Sequence, residues 1–118
     1  MRSWVLAALA GFWLLLSPLT ANAAEVLQVR SGTLLQIGDH NRTYTVRLAC
    51  VAVADSDQAE AAGWLRQQLP RRSKVNLRPR GSDDGILIAG IERQGSQGSL
   101  DLGSALIEAG LATPSPGC

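Results

Sequence analysis

The 118-residue sequence predicts a small, mostly β domain with two helices, in the order β-β-β-α-β-β-α. Three observations predict this class. Apolar residues alternate with a period of two in residues 26–53 and 75–93, whereas residues 57–69 and 101–109 have helical spacing. Turn-forming residues separate these segments. The length allows at most one compact domain, which excludes a two-domain enzyme.

The chain begins with features of a signal peptide. One charge, Arg2, precedes an unbroken run of apolar residues and one glycine at positions 4–16. As a helix this run would reach only about 20 Å, which is short of the roughly 30 Å of a bilayer core. Small residues at 21 and 23 suit signal peptidase. We therefore expect cleavage before Ala24 and export of residues 24–118, as one domain without a transmembrane segment, to the periplasm or the extracellular space.

The first three predicted strands occupy residues 26–30, 34–37 and 43–53. The residues at 38–41, Gly-Asp-His-Asn, are typical of a turn because they tolerate positive φ or bond their own backbone. Alternation in the long third strand would place Tyr44, Val46, Leu48 and Cys50 on one face.

The remaining elements follow a change to helical spacing. Asp57 and Glu60 have the arrangement of a capping box, and Pro70 ends the helix that they begin. We predict two further strands at 75–78 and 86–93, a turn at 81–85, and a second helix at 101–109 closed by Gly110. This order predicts a five-stranded, OB-like barrel with Greek-key character, which buries one side of each strand and is capped by a helix.

Both cysteines lie in the part of the chain that we expect to be exported. An even cysteine count in an exported chain favours a disulfide, here Cys50–Cys118, over a metal site, and no metal-ligand spacing competes with it. The alternative is a buried, reduced Cys50 and a frayed tail. The chain without its signal peptide has ten basic and ten acidic residues and only two aromatic residues, so it lacks the charge of a general polyanion binder.

Six segments, taken in order, resemble the staphylococcal nuclease (thermonuclease) family over residues 25–112. They are Thr-Leu-Leu at 33–35, Val-Arg-Leu-Ala-Cys-Val at 46–51, Glu-Ala-Ala-Gly-Trp-Leu at 60–65, Val-Asn-Leu-Arg-Pro at 75–79, Asp-Asp-Gly-Ile-Leu-Ile-Ala at 83–89 and Ala-Leu-Ile-Glu-Ala-Gly-Leu-Ala at 105–112. The resemblance implies the OB-like barrel. It also implies an ancestry in calcium-dependent phosphodiester cleavage, in which carboxylates hold the ion and two arginines clamp the phosphate.

Most residues of that activity are absent. The calcium-binding Asp of the family's Asp-Gly-Asp-Thr turn falls on Gly32, and the first Asp of the same turn falls on Arg30. The family's Asp-x-Pro-Glu segment, which supplies the second calcium ligand and the acid assigned to water activation, becomes Ala-Val-Ala-Asp at 52–55, so only Asp55 keeps an acid there. The first phosphate arginine matches Arg47, whereas the second falls on Ile86. We therefore expect no metal site and no cofactor.

Two interpretations of the function follow from these departures. The leading hypothesis is an exported binding or structural module, a monomer, that has lost calcium-dependent cleavage. The alternative is a weak calcium-dependent nuclease that uses Arg47 and Asp55, with Asp83 or Asp84 as a further acid. Arg47 could equally be a solvated strand residue, and Asp55 could simply help to begin the first helix.

One further feature is a cluster of six basic residues within fifteen positions, with no acid between 61 and 82. This cluster could bind a polyanion or an acidic protein, although aromatic residues for stacking on bases are lacking. A solvated face balanced by acids elsewhere is the other interpretation. The cluster comprises Arg66, Arg71, Arg72, Lys74, Arg78 and Arg80.

Overall fold

The computed structural model of the protein describes residues 24–95 and 98–116. The predicted signal peptide at 1–23 and Cys118 lie outside the described residues. Within the described ranges no helix is long and apolar enough to cross a membrane. The elements, in chain order, are β1 (Ala24–Val29), β2 (Leu34–Asp39), β3 (Arg42–Leu48), β4 (Val51–Ala52), a 3-10 turn (Asp55–Asp57), α1 (Gln58–Gln68), β5 (Lys74–Asp83), β6 (Ile86–Arg93), β7 (Leu100–Asp101), α2 (Leu102–Glu108) and β8 (Thr113–Pro114).

Five strands form a closed barrel, which confirms the predicted fold class. Neighbouring strands pair in the order β3-β2-β1-β5-β6, and an additional pairing of β3 with β6 closes the ring. That closing pair is parallel, with Val46 opposite Leu87 and Leu48 opposite Ala89, whereas the other pairs are antiparallel. A five-stranded barrel with two short helices has the architecture of an OB-like fold.

Two tight hairpins keep the strands in register. His40 and Asn41 join β2 to β3 with φ of 53° and 46°, and Asp84 and Gly85 join β5 to β6 with φ of 49° and 77°. Positive φ at both central residues is the requirement of a type I′ turn, whose twist matches that of the flanking strands. Both turns lie within the segments that the sequence predicted.

The core is aliphatic. One face of α1 and one face of α2 pack against the inward side chains of the strands, and Tyr44 and Trp64 lie partly buried at the margin of this core. No polar or charged residue of the described part of the chain is buried. The largest fully buried side chains are Leu35, Ile37, Leu65, Ile91, Leu102, Leu106, Val26, Val46 and Val75.

The prediction of one continuous third strand was wrong. β3 ends at Leu48, a turn at residues 49–50 follows, and Cys50 has φ of 67°. The turn follows the closure of the barrel, since the Ala49 N–H donates to the carbonyl of Ala89 at 2.9 Å before the chain changes direction. Cys50 therefore lies beyond the strand and does not share the strand face of Tyr44, Val46 and Leu48.

One smaller expectation, the helix cap, is wrong, and one predicted strand is longer in the structure. Asp57 makes no side-chain capping bond, because its backbone continues the 3-10 turn with φ of −103° and ψ of −2°, whereas a capping residue has an extended backbone. The predicted strand at 75–78 is part of a longer strand, which continues past Pro79 to Asp83. A bulge at Arg80 shifts the register between Pro79 and Gly81, and such an irregularity accommodates a proline inside a strand.

Candidate functional site

The turn between β1 and β2 is held closed by α1. The buried Gly32 donates its N–H to the Gln58 side-chain oxygen at 2.9 Å. The amide nitrogen of Gln58 in turn donates to the carbonyl of Val53 at 3.2 Å. One glutamine side chain therefore links the β1–β2 turn to the segment that precedes α1, the two places where the resemblance would put calcium ligands.

No space is left at position 32 for a side chain. A Cβ atom there would lie 2.8 Å from the Ala61 Cβ and 3.2 Å from Val53 Cγ1. Carbon atoms pack at about 3.5–4.0 Å, so even a methyl group would force backbone to move. The neighbouring Arg30 is exposed and brings a positive charge to this turn.

Arg47, the phosphate-binding candidate, forms an ion pair with Asp83. The Arg47 Nη1 atom is 3.7 Å from Asp83 Oδ2, and the two side chains are 41% and 63% exposed. A pair this exposed stabilises a protein by only about 0–1 kcal/mol. The alternative hypothesis named Asp83 or Asp84 as a further catalytic acid, and the structure places Asp83 beside Arg47 as a counterion.

Asp55, the candidate for water activation, is not brought to Arg47 by a direct contact. Asp55 is exposed in the 3-10 turn; its backbone carbonyl accepts from the Gln58 N–H, but its carboxylate makes no hydrogen bond or ion pair with any other described residue. Within residues 24–95 and 98–116, no group of three or more His, Cys, Asp or Glu residues is placed to hold a metal ion.

The basic cluster of residues 66–80 divides into paired and unpaired cations. Lys74 Nζ donates to Glu25 Oε1 at 2.6 Å, and Arg72 Nη1 is 3.8 Å from the other oxygen of that carboxylate. The hydrogen bond and charge of Lys74, with a smaller effect of Arg72, hold the pKa of Glu25 below its ordinary value of 4.5. Arg78 Nη2 donates to Glu92 Oε2 at 2.8 Å. Three of the six basic residues of the cluster therefore have carboxylate partners.

The other three cations have no carboxylate partner among the described residues. Arg66 donates to the carbonyl of Val29 at 3.1 Å, Arg71 lies at an exposed turn, and Arg80 occupies the bulge of β5. The Val29 carbonyl belongs to the peptide that leads into Arg30. The structure thus adds Arg30 to this surface, which sequence spacing could not show because 36 positions separate it from Arg66.

Two of the grooves on the described surface lie near residues of the candidate site. One, of about 240 Å³, lies between β1 and the end of α1 and includes Arg66 and Arg71 in its lining. The other, of about 360 Å³, is lined mainly by apolar residues of β5 and β6 together with Tyr44 and Asp39. The first groove is the one that joins unpaired cations to apolar surface.

The C-terminal segment lies beside Cys50. β8 pairs antiparallel with β4, and the Ser115 N–H donates to the carbonyl of Cys50 at 3.0 Å. The described part of the chain contains no free cysteine. Cys118 lies outside the described residues, so its bond to Cys50 stays a prediction.

Comparison with known proteins gives no assignment. No protein-family model matches the chain, and a search of curated proteins finds no match. The resemblance to the staphylococcal nuclease family therefore remains a prediction that depends on the six sequence segments.

Proposed function

We propose that this protein is an exported OB-like binding module, similar to the staphylococcal nuclease family in fold, that does not cleave phosphodiesters with calcium. The observation that carries the proposal is the packing at Gly32. The position that the resemblance assigns to a calcium-binding carboxylate is occupied by backbone in contact with α1.

The charges around this position support the same conclusion. Calcium needs several oxygen ligands, with carboxylates foremost among them. The turn offers the Arg30 cation and the glycine backbone, and the Gln58 side-chain oxygen already accepts the Gly32 N–H. Arg47 is engaged by Asp83, so a phosphate would have to compete with that carboxylate.

A nuclease assay on the exported protein tests the proposal. Single-stranded and double-stranded DNA and RNA are incubated with the protein in millimolar calcium, beside Arg47→Ala and Asp55→Asn variants. We expect equal, background rates for all three proteins. Calcium-dependent turnover in the wild type that disappears in either variant would establish the alternative, a weak nuclease using Arg47 and Asp55.

Calcium binding is measured separately through thermal unfolding. A ligand that binds only the folded state raises its stability, by about 2.7 kcal/mol at a concentration one hundred times its dissociation constant. We expect calcium to shift the melting temperature no more than sodium chloride of the same ionic strength. A calcium-specific rise would contradict the proposed loss of the metal site.

Export and the disulfide complete the proposal. The pairing of β8 with β4 supports a Cys50–Cys118 bond, because it brings the chain alongside Cys50 three residues before Cys118. Closing a loop of 68 residues would stabilise the fold by about 4 kcal/mol in the chain-entropy model. Non-reducing mass spectrometry of protein from an oxidising compartment should give an N-terminus at Ala24 and no alkylatable thiol. An intact N-terminal segment or two free thiols would reject this part.

A further inference from the structure

The groove between β1 and α1 exists because β1 separates early from β5. Those strands pair only at Ala24 and Glu25, and the turn after α1 continues the contact. The Val26 N–H donates to the carbonyl of Ser73 at 3.0 Å, and the Arg72 N–H donates to the carbonyl of Val26 at 2.7 Å. A bulge in β1 follows Val26. The gap beyond it forms the groove of about 240 Å³.

The groove combines an aliphatic surface with two guanidinium groups. Arg66 is held in place by its bond to the Val29 carbonyl, whereas Arg71 extends from an exposed turn and has no ion pair among the described residues. The apolar residues that line the groove are Val26, Leu27, Val29, Leu69 and Pro70.

Two cations, Arg66 and Arg71, line the groove, and no described acidic residue does. Glu25 is already paired with two other members of the basic cluster, Arg72 and Lys74. The C-terminus of α1 carries a partial negative charge of about half an elementary charge. The Gln68 carbonyl at that end accepts a hydrogen bond from Arg93 at 3.0 Å, which offsets part of this effect. Arg66 and Arg71 therefore leave a net attraction for an anion.

We infer that this groove binds an acidic peptide segment of a partner protein. A glutamate or aspartate carboxylate pairs with Arg66 and Arg71, and a neighbouring aliphatic side chain packs on Leu27 and Pro70, the apolar lining residues that are not buried in the core. Guanidinium groups suit this role because they bind carboxylates through two parallel hydrogen bonds. The inference rests on the proposed binding function and names the chemistry of its partner.

The size and lining of the groove favour a peptide over other anions. Cavities that enclose whole small molecules are about 300–1,000 Å³, so this groove suits single side chains of a larger partner. No aromatic residue lines it for stacking on a base. Anionic membranes attract clusters of about 4–8 lysines and arginines, and the ion pairs of three of the six clustered cations weaken that attraction here.

The test is an NMR titration of the isotope-labelled exported protein with four probes. They are an acetylated, amidated hexapeptide of alternating leucine and glutamate, its leucine–glutamine counterpart, a thymidine octanucleotide and phosphatidylglycerol vesicles. We expect the glutamate peptide to bind most tightly and to shift the amide signals of Leu27, Gln28 and Arg71. Tighter binding of the octanucleotide or the vesicles, or equal binding of the glutamine peptide, would overturn the inference.

A matched pair of variants locates the site. Arg71→Gln and Arg80→Gln remove the same charge from exposed positions without an ion pair, but only Arg71 lines the groove. We expect Arg71→Gln to weaken peptide binding about tenfold, as the loss of one charge-assisted pair implies. We expect Arg80→Gln to change it less than about twofold. Equal losses would point to general charge attraction and reject the groove. Nuclease activity is measured independently, so its presence would refute the proposed function without altering these binding results.

Discussion

Replacing Gly32 with alanine tests how tightly the β1–β2 turn packs on α1. The new Cβ would lie 2.8 Å from the Ala61 Cβ, 3.0 Å from the Gln58 side-chain oxygen and 3.2 Å from Val53 Cγ1. Backbone conformation is not the obstacle, because Gly32 does not have positive φ. The turn and the first turns of α1 would have to separate by several tenths of an ångström.

The expected cost follows from three effects. Overpacking a well-packed site costs about 1–3 kcal/mol. Weakening the hydrogen bond from the Gly32 N–H to Gln58 costs about 0.5–1.5 kcal/mol, and the lower entropy of the unfolded alanine chain returns about 0.4–1 kcal/mol. We therefore expect Gly32→Ala to lower the free energy of unfolding by about 2 kcal/mol.

Urea denaturation of the exported protein under non-reducing conditions measures this change. Gly63→Ala is the matched control, since Gly63 is inside α1 and its added Cβ would meet nothing within 4 Å. It should raise stability by about 0.5–1 kcal/mol. Ala61→Gly should partly restore Gly32→Ala, with a coupling energy of at least about 0.5 kcal/mol. Wild-type stability of Gly32→Ala, or additive effects in the double variant, would refute the packing argument.

Three further predictions concern stability. Lys74, with a smaller effect of Arg72, lowers the pKa of Glu25 in the folded state, so the Glu25 carboxylate should stabilise the fold fully above pH 4.5 and lose this effect as the pH falls through the folded-state pKa. The difference in unfolding free energy between wild type and Glu25→Gln, measured against pH, should therefore narrow over that range. A difference that does not change with pH would contradict the pairing with Lys74. Arg72→Gly should stabilise the fold by up to about 1 kcal/mol in urea titrations, because Arg72 has a strained backbone with φ of 72° and makes only an exposed ion pair, at 3.8 Å. A clear loss of stability in this variant would mean that the ion pair with Glu25 outweighs the backbone strain. Asp101→Ala should cost about 1 kcal/mol in thermal unfolding, because the Asp101 carboxylate accepts from the Ser104 N–H at 3.0 Å at the start of α2, and an unchanged melting temperature would argue against this cap.

The barrel was predictable because its main signals are local. Strand alternation, the His40-Asn41 and Asp84-Gly85 turns and the helical spacing before Pro70 all act within a few residues. The break in the strand after Leu48 could not be predicted, because residues 48–51 are all apolar and give no sign of a turn. That turn depends on contact with Ala89, which is distant in the chain.

The geometry of the candidate site depends even more on contacts between residues that are far apart in the sequence. The six basic residues are visible in the sequence, but the sequence could not show that Lys74 pairs with Glu25, 49 positions away. Nor could it show that the Gln58 side chain accepts a hydrogen bond from Gly32, because a glutamine at the start of a helix is usually exposed to solvent. The closed turn and the divided basic cluster are therefore tertiary properties, visible only when β1, α1 and β5 are seen together.

The parallel pairing of β3 with β6 also bears on how fast the chain folds. Val46 and Leu87, which form its first pair, are 41 residues apart, so the barrel cannot close until β6 is available. Chains dominated by such distant contacts fold in milliseconds to seconds, whereas chains with mainly local contacts fold in microseconds to milliseconds. The hairpin of β2 and β3 can form early, but its apolar face stays uncovered until β6 and α1 arrive. We therefore expect barrel closure to come late in folding and to cover this surface against contact with other chains.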